Sequence, residues 1–253
     1  MSAIVIEDPR LRNRLGVFED RNEAGKILAR SLEGFRTRDA IVLAIPSGGV
    51  PIGLIVSSYL DLPFDMLIIR KLPIPGNTEA GFGAISLEGD MILNDPMVKM
   101  LGLSDRVIQV QIESVQEELK ARNRIFRGKR PKTDLKGKIV ILTDDGLASG
   151  YTMMAAARMV KRQEPKEIVV AVPTASLHTI DLIAKEVNKI ICLNVRTGSY
   201  FAVAEAYRNW YDLSREEVVD LLKAQKFLDS DVIVLHQKID TNHRYLDIVL
   251  SAK

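Results

Sequence analysis

The sequence has few of the residues that mark secreted or metal-binding proteins. Its 253 residues include one cysteine and three histidines. A single cysteine excludes an intrachain disulfide and fits a reducing cytoplasm, where we expect the protein to be found. Cys192 lies in an apolar run and is predicted to be a buried structural thiol rather than a nucleophile. His178, His236 and His243 are scattered without metal-ligand spacing.

Long apolar runs and a strong net charge are also absent. No stretch approaches the roughly 18 consecutive apolar residues of a membrane span, so we expect no membrane partner. The segment Met1–Arg10 is acidic and lacks the basic region of a signal peptide. With 35 basic and 33 acidic residues the net charge is +2, which argues neither for nor against a polyanionic partner.

A local basic cluster lies between Arg122 and Lys132. Only Phe126 interleaves with its cations, which gives base stacking little support. Cations near the end of a helix also suit the helix dipole. We interpret the cluster as a solvated face and expect no nucleic-acid partner.

Apolar strands and amphipathic helices alternate along the chain. The predicted strands are Ala40–Ile45, Phe64–Arg70, Ile139–Leu142, Glu167–Val172 and Lys189–Val195. The predicted helices are Arg21–Phe35, Val50–Tyr59, Ser104–Phe126, Thr152–Gln163, Leu177–Val187 and Ser214–Ala224, with Val107, Val110, Val115 and Leu119 on the apolar side of the long one. This order indicates a doubly wound, mostly parallel α/β sheet, which binds ligands beyond the carboxyl ends of its strands.

The most informative segment runs from Val140 to Thr152, which we call the signature. A buried strand ends in Asp144 and Asp145, and a loop of small residues leads to a helix that Thr152 opens. Glycines, inward-pointing amides and a helix N-terminus favour an anion such as phosphate. The two acids suit a ligand that also carries hydroxyls or a divalent cation. The alternative is an ordinary turn with acids on a solvated rim.

Two more loops follow predicted strands. Pro46–Val50, the glycine loop, contains Gly48 and Gly49, whose amides would wrap an anion; the alternative is a tight turn that requires glycine. The segment Lys71–Gly81 is rich in proline and glycine and is predicted to be an irregular, mobile loop. Beyond it, Phe82–Ser86 and Met91–Leu93 are predicted to form a small hairpin.

The signature resembles the phosphoribosyl pyrophosphate (PRPP) motif of type I phosphoribosyltransferases. The resemblance implies that Asp144 and Asp145 face the ribose hydroxyls, act in catalysis and hold Mg²⁺ through ribose or water. It also implies a 5′-phosphate site made of Gly146, Leu147, Ala148, Ser149, Gly150, Tyr151 and Thr152. The family's pyrophosphate loop matches Ser47, Gly48, Gly49 and Val50. Its flexible loop follows Arg70 and Lys71, which would add positive charge, although Arg70 could equally form a surface ion pair.

Within this family the chain looks closest to a subgroup of uncharacterised predicted phosphoribosyltransferases. Four blocks carry this likeness in order: Phe18–Ala29, Arg70–Ser86, Arg122–Pro131 and Ser199–Leu222. It covers roughly residues 16–224. One departure is Ser47, where the subgroup usually has arginine. We expect one α/β domain over 1–226 and an extension over 227–253 packed on it, with one extra strand at an edge or an oligomer contact.

The resemblance places a variable hood around residues 194–224, over the acceptor. Tyr200, Phe201, Tyr207 and Trp210 would stack on a planar base, and Asn194 or Thr197 would hydrogen-bond its edge. The alternative is a hydrophobic cluster that anchors the helix Ser214–Ala224. Ala148 stands where purine-salvage members carry a third acid, which disfavours a hypoxanthine- or guanine-type acceptor.

The implied function is Mg²⁺-dependent transfer of a 5-phosphoribosyl group from PRPP to an unidentified acceptor, a nitrogenous base, with release of pyrophosphate. The alternative is a non-catalytic regulatory protein that binds PRPP or a nucleotide. A phosphate-ester hydrolase would need a nucleophile or general base that the sequence does not reveal. We expect a homodimer or a larger homo-oligomer.

Overall fold

A computed structural model describes residues 3–128, 130–198, 200–228, 232–238 and 245–251. The strands are β1 (Ile4–Glu7), β2 (Ala40–Ala44), β3 (Phe64–Met66), β4 (Ile69–Ile74), β5 (Asn77–Ser86), β6 (Met91–Leu93), β7 (Ile139–Thr143), β8 (Glu167–Ser176), β9 (Lys189–Arg196), β10 (Val232–Lys238) and β11 (Tyr245–Ser251). The helices are α1 (Arg21–Ser31), α2 (Gly49–Leu60), α3 (Asp95–Met100), α4 (Asp105–Arg127), α5 (Tyr151–Lys161), α6 (Leu177–Ile183) and α7 (Arg215–Ala224).

Six strands form the central sheet in the order β1-β9-β8-β7-β2-β3, and every neighbouring pair is parallel. The predicted α/β class is therefore confirmed. From β2 the chain continues to β3 on one side, whereas β7 leads to β8 and β9 on the other. The loops after β2 and β7 thus run in opposite directions. Such a switch point opens a crevice at the carboxyl ends of two adjacent strands, and ligands bind there in open α/β sheets.

Apolar side chains pack on both faces of this sheet, as buried parallel strands require. Along β2, Ile41 and Leu43 belong to the core beneath α5 and α6, while Ala40 and Val42 belong to the core beneath α1 and α2. Cys192 is fully buried in the first core, and burial raises the pKa of its thiol. The predicted structural thiol is confirmed.

The predicted strand Phe64–Arg70 is wrong as a single element. β3 ends at Met66, and β4 begins at Ile69 in a second, antiparallel sheet of order β4-β5-β6. The predicted irregular loop Lys71–Gly81 is likewise mostly a hairpin, because β4 and β5 pair across it. Gly76, with φ of +78°, makes its turn, and the register shifts around Pro73. The smaller hairpin of β5 and β6 is confirmed.

Several boundaries also differ from the sequence-based expectations. α1 ends at Ser31 and a short 3-10 turn follows, α6 ends at Ile183, and Val110 of α4 is exposed although Val115 and Leu119 are buried. The edge strand β1 was not predicted. Instead of one extra strand, the C-terminal segment contains β10 and β11, which pair antiparallel as a separate two-stranded sheet.

Candidate active site

The signature and the glycine loop meet at the switch point, after β7 and β2. The signature loop is hydrogen-bonded to β8, since the Leu147 amide donates to the Thr174 carbonyl over 3.0 Å. A Cβ on Gly146 would lie 2.5 Å from Val203 of the hood and 2.9 Å from Thr174. The loop therefore fits between sheet and hood only without a side chain at this position.

Gly150 ends the loop and caps α5. Its φ of +79° is in the left-handed region, and a Cβ there would lie 2.6 Å from Thr179. The Thr179 hydroxyl donates to the Ala148 carbonyl over 2.6 Å, which fixes the outer part of the loop. Ala148 and Ser149 are exposed, so the outer part of this loop is accessible at the start of an 11-residue helix.

Gly48 is required for close approach rather than for its backbone conformation. Its φ is an ordinary −59°, yet a Cβ would lie 1.9 Å from Asp145 Oδ2. A Cβ on Gly49 would lie 2.7 Å from the Thr143 carbonyl oxygen. The preceding Pro46–Ser47 peptide bond is cis. The glycine loop and the signature are thus in direct contact, and this explains the two glycines better than the alternative of a tight turn.

The two acids have different environments. Asp144 lines the cleft, and its Oδ1 accepts from the Asp145 amide over 2.9 Å. Burial, followed by the charge of Asp145, raises the pKa of Asp144 well above 3.8. Burial also raises the pKa of Asp145, while Arg21 opposes this shift. Two adjacent carboxylates are therefore held where their charge is disfavoured without a partner.

Arg21 is the main site residue that the sequence analysis missed. Its Nε and Nη2 both lie 2.9 Å from Asp145 Oδ2, and the two side chains are 8% and 13% exposed. Its guanidinium carbon lies 4.0 Å from the centre of the Trp210 ring, and its Nη1 donates to the Tyr211 carbonyl. Its only signal was the block Phe18–Ala29, since an arginine opening a helix otherwise suggests a surface charge.

Consecutive residues of β4 point to opposite faces, as in any strand. Lys71 lines the cleft, whereas Arg70 contacts α4 through an ion pair of 2.9 Å with Glu118. Burial lowers the pKa of Arg70, and Glu118 opposes that shift. The structure therefore brings Lys71 to the acids and directs Arg70 elsewhere.

The resulting cleft holds about 930 Å³ of empty space, part of it open to solvent. All seven predicted 5′-phosphate residues line it, together with Asp144 and Lys71. Met97 of α3 and Val203 of the hood add apolar walls, and Gly81 and Gly83 of β5 leave room opposite the loop.

The hood aromatics divide into two groups. Tyr207 is buried, with its ring centre 5.7 Å from that of Phe18 and 5.1 Å from that of Trp210. Its hydroxyl donates to the Asp145 carbonyl over 2.5 Å. Tyr200 is 75% exposed and Phe201 is half-buried. Tyr207 thus packs in the core beneath α1 and α2, whereas the buried residues of α7 belong to a different core.

The two polar groups predicted for the acceptor are also engaged. Asn194 is fully buried, and its amide donates to the carbonyls of Leu11 and Arg14. The amide and hydroxyl of Thr197 donate to Asn13 over 2.8 and 3.0 Å. Asn194 is therefore a structural residue, while Thr197 lies at an exposed position.

The donor chemistry of the acids suits Mg²⁺ bound together with a ligand. Among the described residues, no group of three or more His, Cys, Asp or Glu side chains is placed to hold a metal by itself. Mg²⁺ is commonly bound by one or two carboxylates together with substrate phosphates. Asp144 and Asp145 fit that pattern.

Fold and site together define an α/β protein with a glycine-containing loop between strand and helix at its topological switch point. The chain belongs to the phosphoribosyl transferase family, because the profile of the phosphoribosyl transferase domain matches residues 19–207. The resemblance seen in the signature is thereby confirmed.

Three relatives support this membership. TT1426 from Thermus thermophilus is 30% identical, with a TM-score of 0.67, over 82% of this chain and 98% of its own. The Mycobacterium tuberculosis proteins MT0597 and Rv0571c, both named provisionally as phosphoribosyl transferases, are each 34% identical over 206 residues, which is 81% of this chain. This chain covers 46% of their length, so it spans about half of the curated relatives it matches. Within the described residues, no helix is both long and apolar enough to cross a membrane.

Proposed function

We propose that the protein transfers a 5-phosphoribosyl group from PRPP to a small nitrogenous base and releases pyrophosphate. The observation that carries this proposal is the shared cleft of the signature: Asp144, the loop from Gly146 to Thr152 and Lys71 all line the same space. A ligand with both a phosphate and sugar hydroxyls matches these two kinds of group.

The signature loop would bind the 5′-phosphate. Ser149 is exposed and Thr152 is half-buried at the start of α5, so both hydroxyls are available as donors beside the helix N-terminus. Gly146 and Gly150 allow the close packing of the loop against Val203, Thr174 and Thr179. Loop and helix would then fix the sugar by its phosphate.

The acids would hold the ribose and stabilise the positive charge that develops when the C1–O bond breaks. The raised pKa values of Asp144 and Asp145 follow from burial, and a cationic or hydroxyl partner would relieve that unfavourable environment. Mg²⁺ held by Asp144 and Asp145 through ribose or water would neutralise the pyrophosphate charge.

The leaving pyrophosphate would lie between the glycine loop and Lys71. Gly48 and Gly49 allow the backbone to reach the acids. The Gly49 and Val50 amides donate to the Ile45 and Ser47 carbonyls, so the amides of Ser47 and Gly48 would donate to the departing oxygens. Arg70 has no part in this scheme because its guanidinium binds Glu118 on α4. Lys71 is therefore the cation that we assign to the leaving group.

The hood would cover the acceptor. Tyr200 is exposed and Phe201 is half-buried, so these two rings would stack on a planar base, with Thr197 nearby in the chain. We also infer a homo-oligomer, since the edge strand β1 exposes Ile4, Val5 and Ile6. The single cysteine supports a cytoplasmic location.

The test is a panel of nitrogenous bases incubated with PRPP and Mg²⁺ while pyrophosphate release is measured. Asp144→Asn should abolish release, whereas Asp39→Asn, at a carboxylate 74% exposed on the surface, should not change it. Release that persists in Asp144→Asn would contradict the assignment.

A second candidate function is a non-catalytic sensor of PRPP or a nucleotide. Ser47 favours it, because the glycine loop there lacks the cation that related proteins carry. Ser47→Arg should raise turnover if the missing charge limits pyrophosphate departure. Tight PRPP binding, no release with any base and no effect of Ser47→Arg would replace the enzyme by the sensor.

A further inference from the structure

Asp145 differs from Asp144 in that it connects three parts of the molecule. Its carboxylate lies against Gly48 of the glycine loop and binds Arg21 at the start of α1. Its carbonyl accepts the hydroxyl of Tyr207 in the hood. Asp145 therefore contacts the glycine loop, α1 and the hood, while Asp144 lines the cleft.

Arg21 extends this connection into the hood. Beside its two contacts with Asp145, it donates to the Tyr211 carbonyl over 2.9 Å and packs its guanidinium on the Trp210 ring. A planar guanidinium suits this arrangement, since it forms directed hydrogen bonds at its edge and stacks on an aromatic ring by its face. Lysine would supply the charge but not both contacts.

We propose that Arg21 is a positioning residue that couples ligand binding at the signature to the hood. This inference rests on the proposed function, because it takes PRPP with Mg²⁺ as the ligand of the acids. When the ligand binds the Asp145 carboxylate, it competes with Arg21 for that group. The Arg21 guanidinium then shifts, and Trp210 and Tyr211, which contact it, shift as well. The hood segment that covers the acceptor is thus set by occupancy of the PRPP site.

Trp210 makes this coupling measurable, since it is the only tryptophan in the chain. Its emission depends on the charge stacked on its ring, and so on the position of Arg21. PRPP with Mg²⁺ should change Trp210 fluorescence in the unaltered protein, with the same midpoint as binding measured by calorimetry. Arg36→Met is the matched control, since Arg36 also joins a carboxylate, Glu33, and an aromatic ring, Tyr59, but at the surface.

Arg21→Met should lose most of the fluorescence change at saturating ligand. Its PRPP affinity should fall by about 10- to 100-fold, the usual effect of removing a residue that orients a metal-binding or ligand-binding group. Arg36→Met should retain both the fluorescence change and the PRPP affinity. All measurements are made well below the melting temperature of each variant, so that a merely structural contribution of Arg21 lowers stability without altering the response.

Arg21→Lys covers the case in which Arg21→Met does not fold. It keeps a cation beside Asp145 and should show a reduced response with an affinity between those of the unaltered protein and Arg21→Met. A full fluorescence response in a folded Arg21 variant, or calorimetric binding without any response in the unaltered protein, would overturn the coupling. Absence of calorimetric binding in the unaltered protein would instead refute the proposed function itself.

Discussion

Replacing Gly48 by alanine tests whether the two loops need their close contact. The added Cβ would lie 1.9 Å from Asp145 Oδ2, which is 1.1 Å short of the 3.0 Å that real contacts respect. The φ of −59° at Gly48 is compatible with alanine. If glycine were needed only for a turn, alanine would be tolerated.

Both ways of relieving the contact between the new Cβ and Asp145 cost free energy. The Asp145 carboxylate could rotate away, but it would then leave Arg21, whose guanidinium is nearly buried with it. Otherwise the glycine loop must move away from Asp145 by about 1.1 Å, the difference between 1.9 and 3.0 Å. Overpacking of this kind costs roughly 1–3 kcal/mol. For a chain of this size the melting temperature should fall by roughly 2–4 °C per kcal/mol.

Function should suffer more than stability. A misplacement of about 1 Å near reacting groups can reduce the rate about 100-fold. We therefore expect Gly48→Ala to be a folded protein with a modestly lower melting temperature and a much smaller stabilisation by PRPP with Mg²⁺. Thermal denaturation with and without this ligand measures both effects.

Gly34→Ala is the control. No atom lies within 4 Å of a Cβ at Gly34, which is exposed in the 3-10 turn after α1. Alanine there should be neutral or stabilise by about 0.4–1 kcal/mol through the unfolded chain. Equal behaviour of the two variants, or full ligand stabilisation of Gly48→Ala, would refute the close-contact argument.

Three further predictions test the electrostatics and shape of the site. Asp144→Asn should stabilise the ligand-free protein more at pH 8 than at pH 5, as measured by urea unfolding. The pKa of Asp144 is raised above 3.8 in the folded state, so ionisation of this carboxyl lowers the stability of the protein as the pH rises. A variant less stable than the unaltered protein at pH 8 would contradict this. Lys71→Met should weaken PRPP binding in calorimetry, whereas Arg70→Met should leave it nearly unchanged; equal losses would disprove the assignment by strand face. Gly150→Ala, strained by its φ of +79° and by Thr179, should lower the melting temperature, and an unchanged value would show that the loop adapts.

The parallel sheet was predictable because its signals are local. The runs that became β2, β7 and β8 are apolar on both faces, and each is followed by a helical pattern within a few residues. The positions of the glycine loop and the signature loop were predictable for the same reason, since a glycine-containing stretch directly after a strand lies at the edge of the sheet.

The predictions that failed concern features that depend on residues far apart in the sequence. The stretch from Phe64 to Arg70 contains no glycine or proline to mark a break, yet β3 pairs with β2 and β4 pairs with β5. Arg21 and Asp145 lie 124 residues apart, and only the packing of α1 against the switch point brings them together. An arginine of this kind carries no local signal that separates it from a surface charge.

The division between Arg70 and Lys71 shows a different kind of error. The resemblance implied that both supply positive charge to the pyrophosphate, which requires the two neighbouring side chains to converge. As a strand, β4 excludes that convergence, because successive residues face opposite sides of the sheet. Prolines at 73 and 75 suggested the loop, but Pro73 lies where the register shifts, and Pro75 lies in the turn. Proline is tolerated at both kinds of position. Once the hairpin is recognised, alternation alone assigns Lys71 to the cleft and Arg70 to α4.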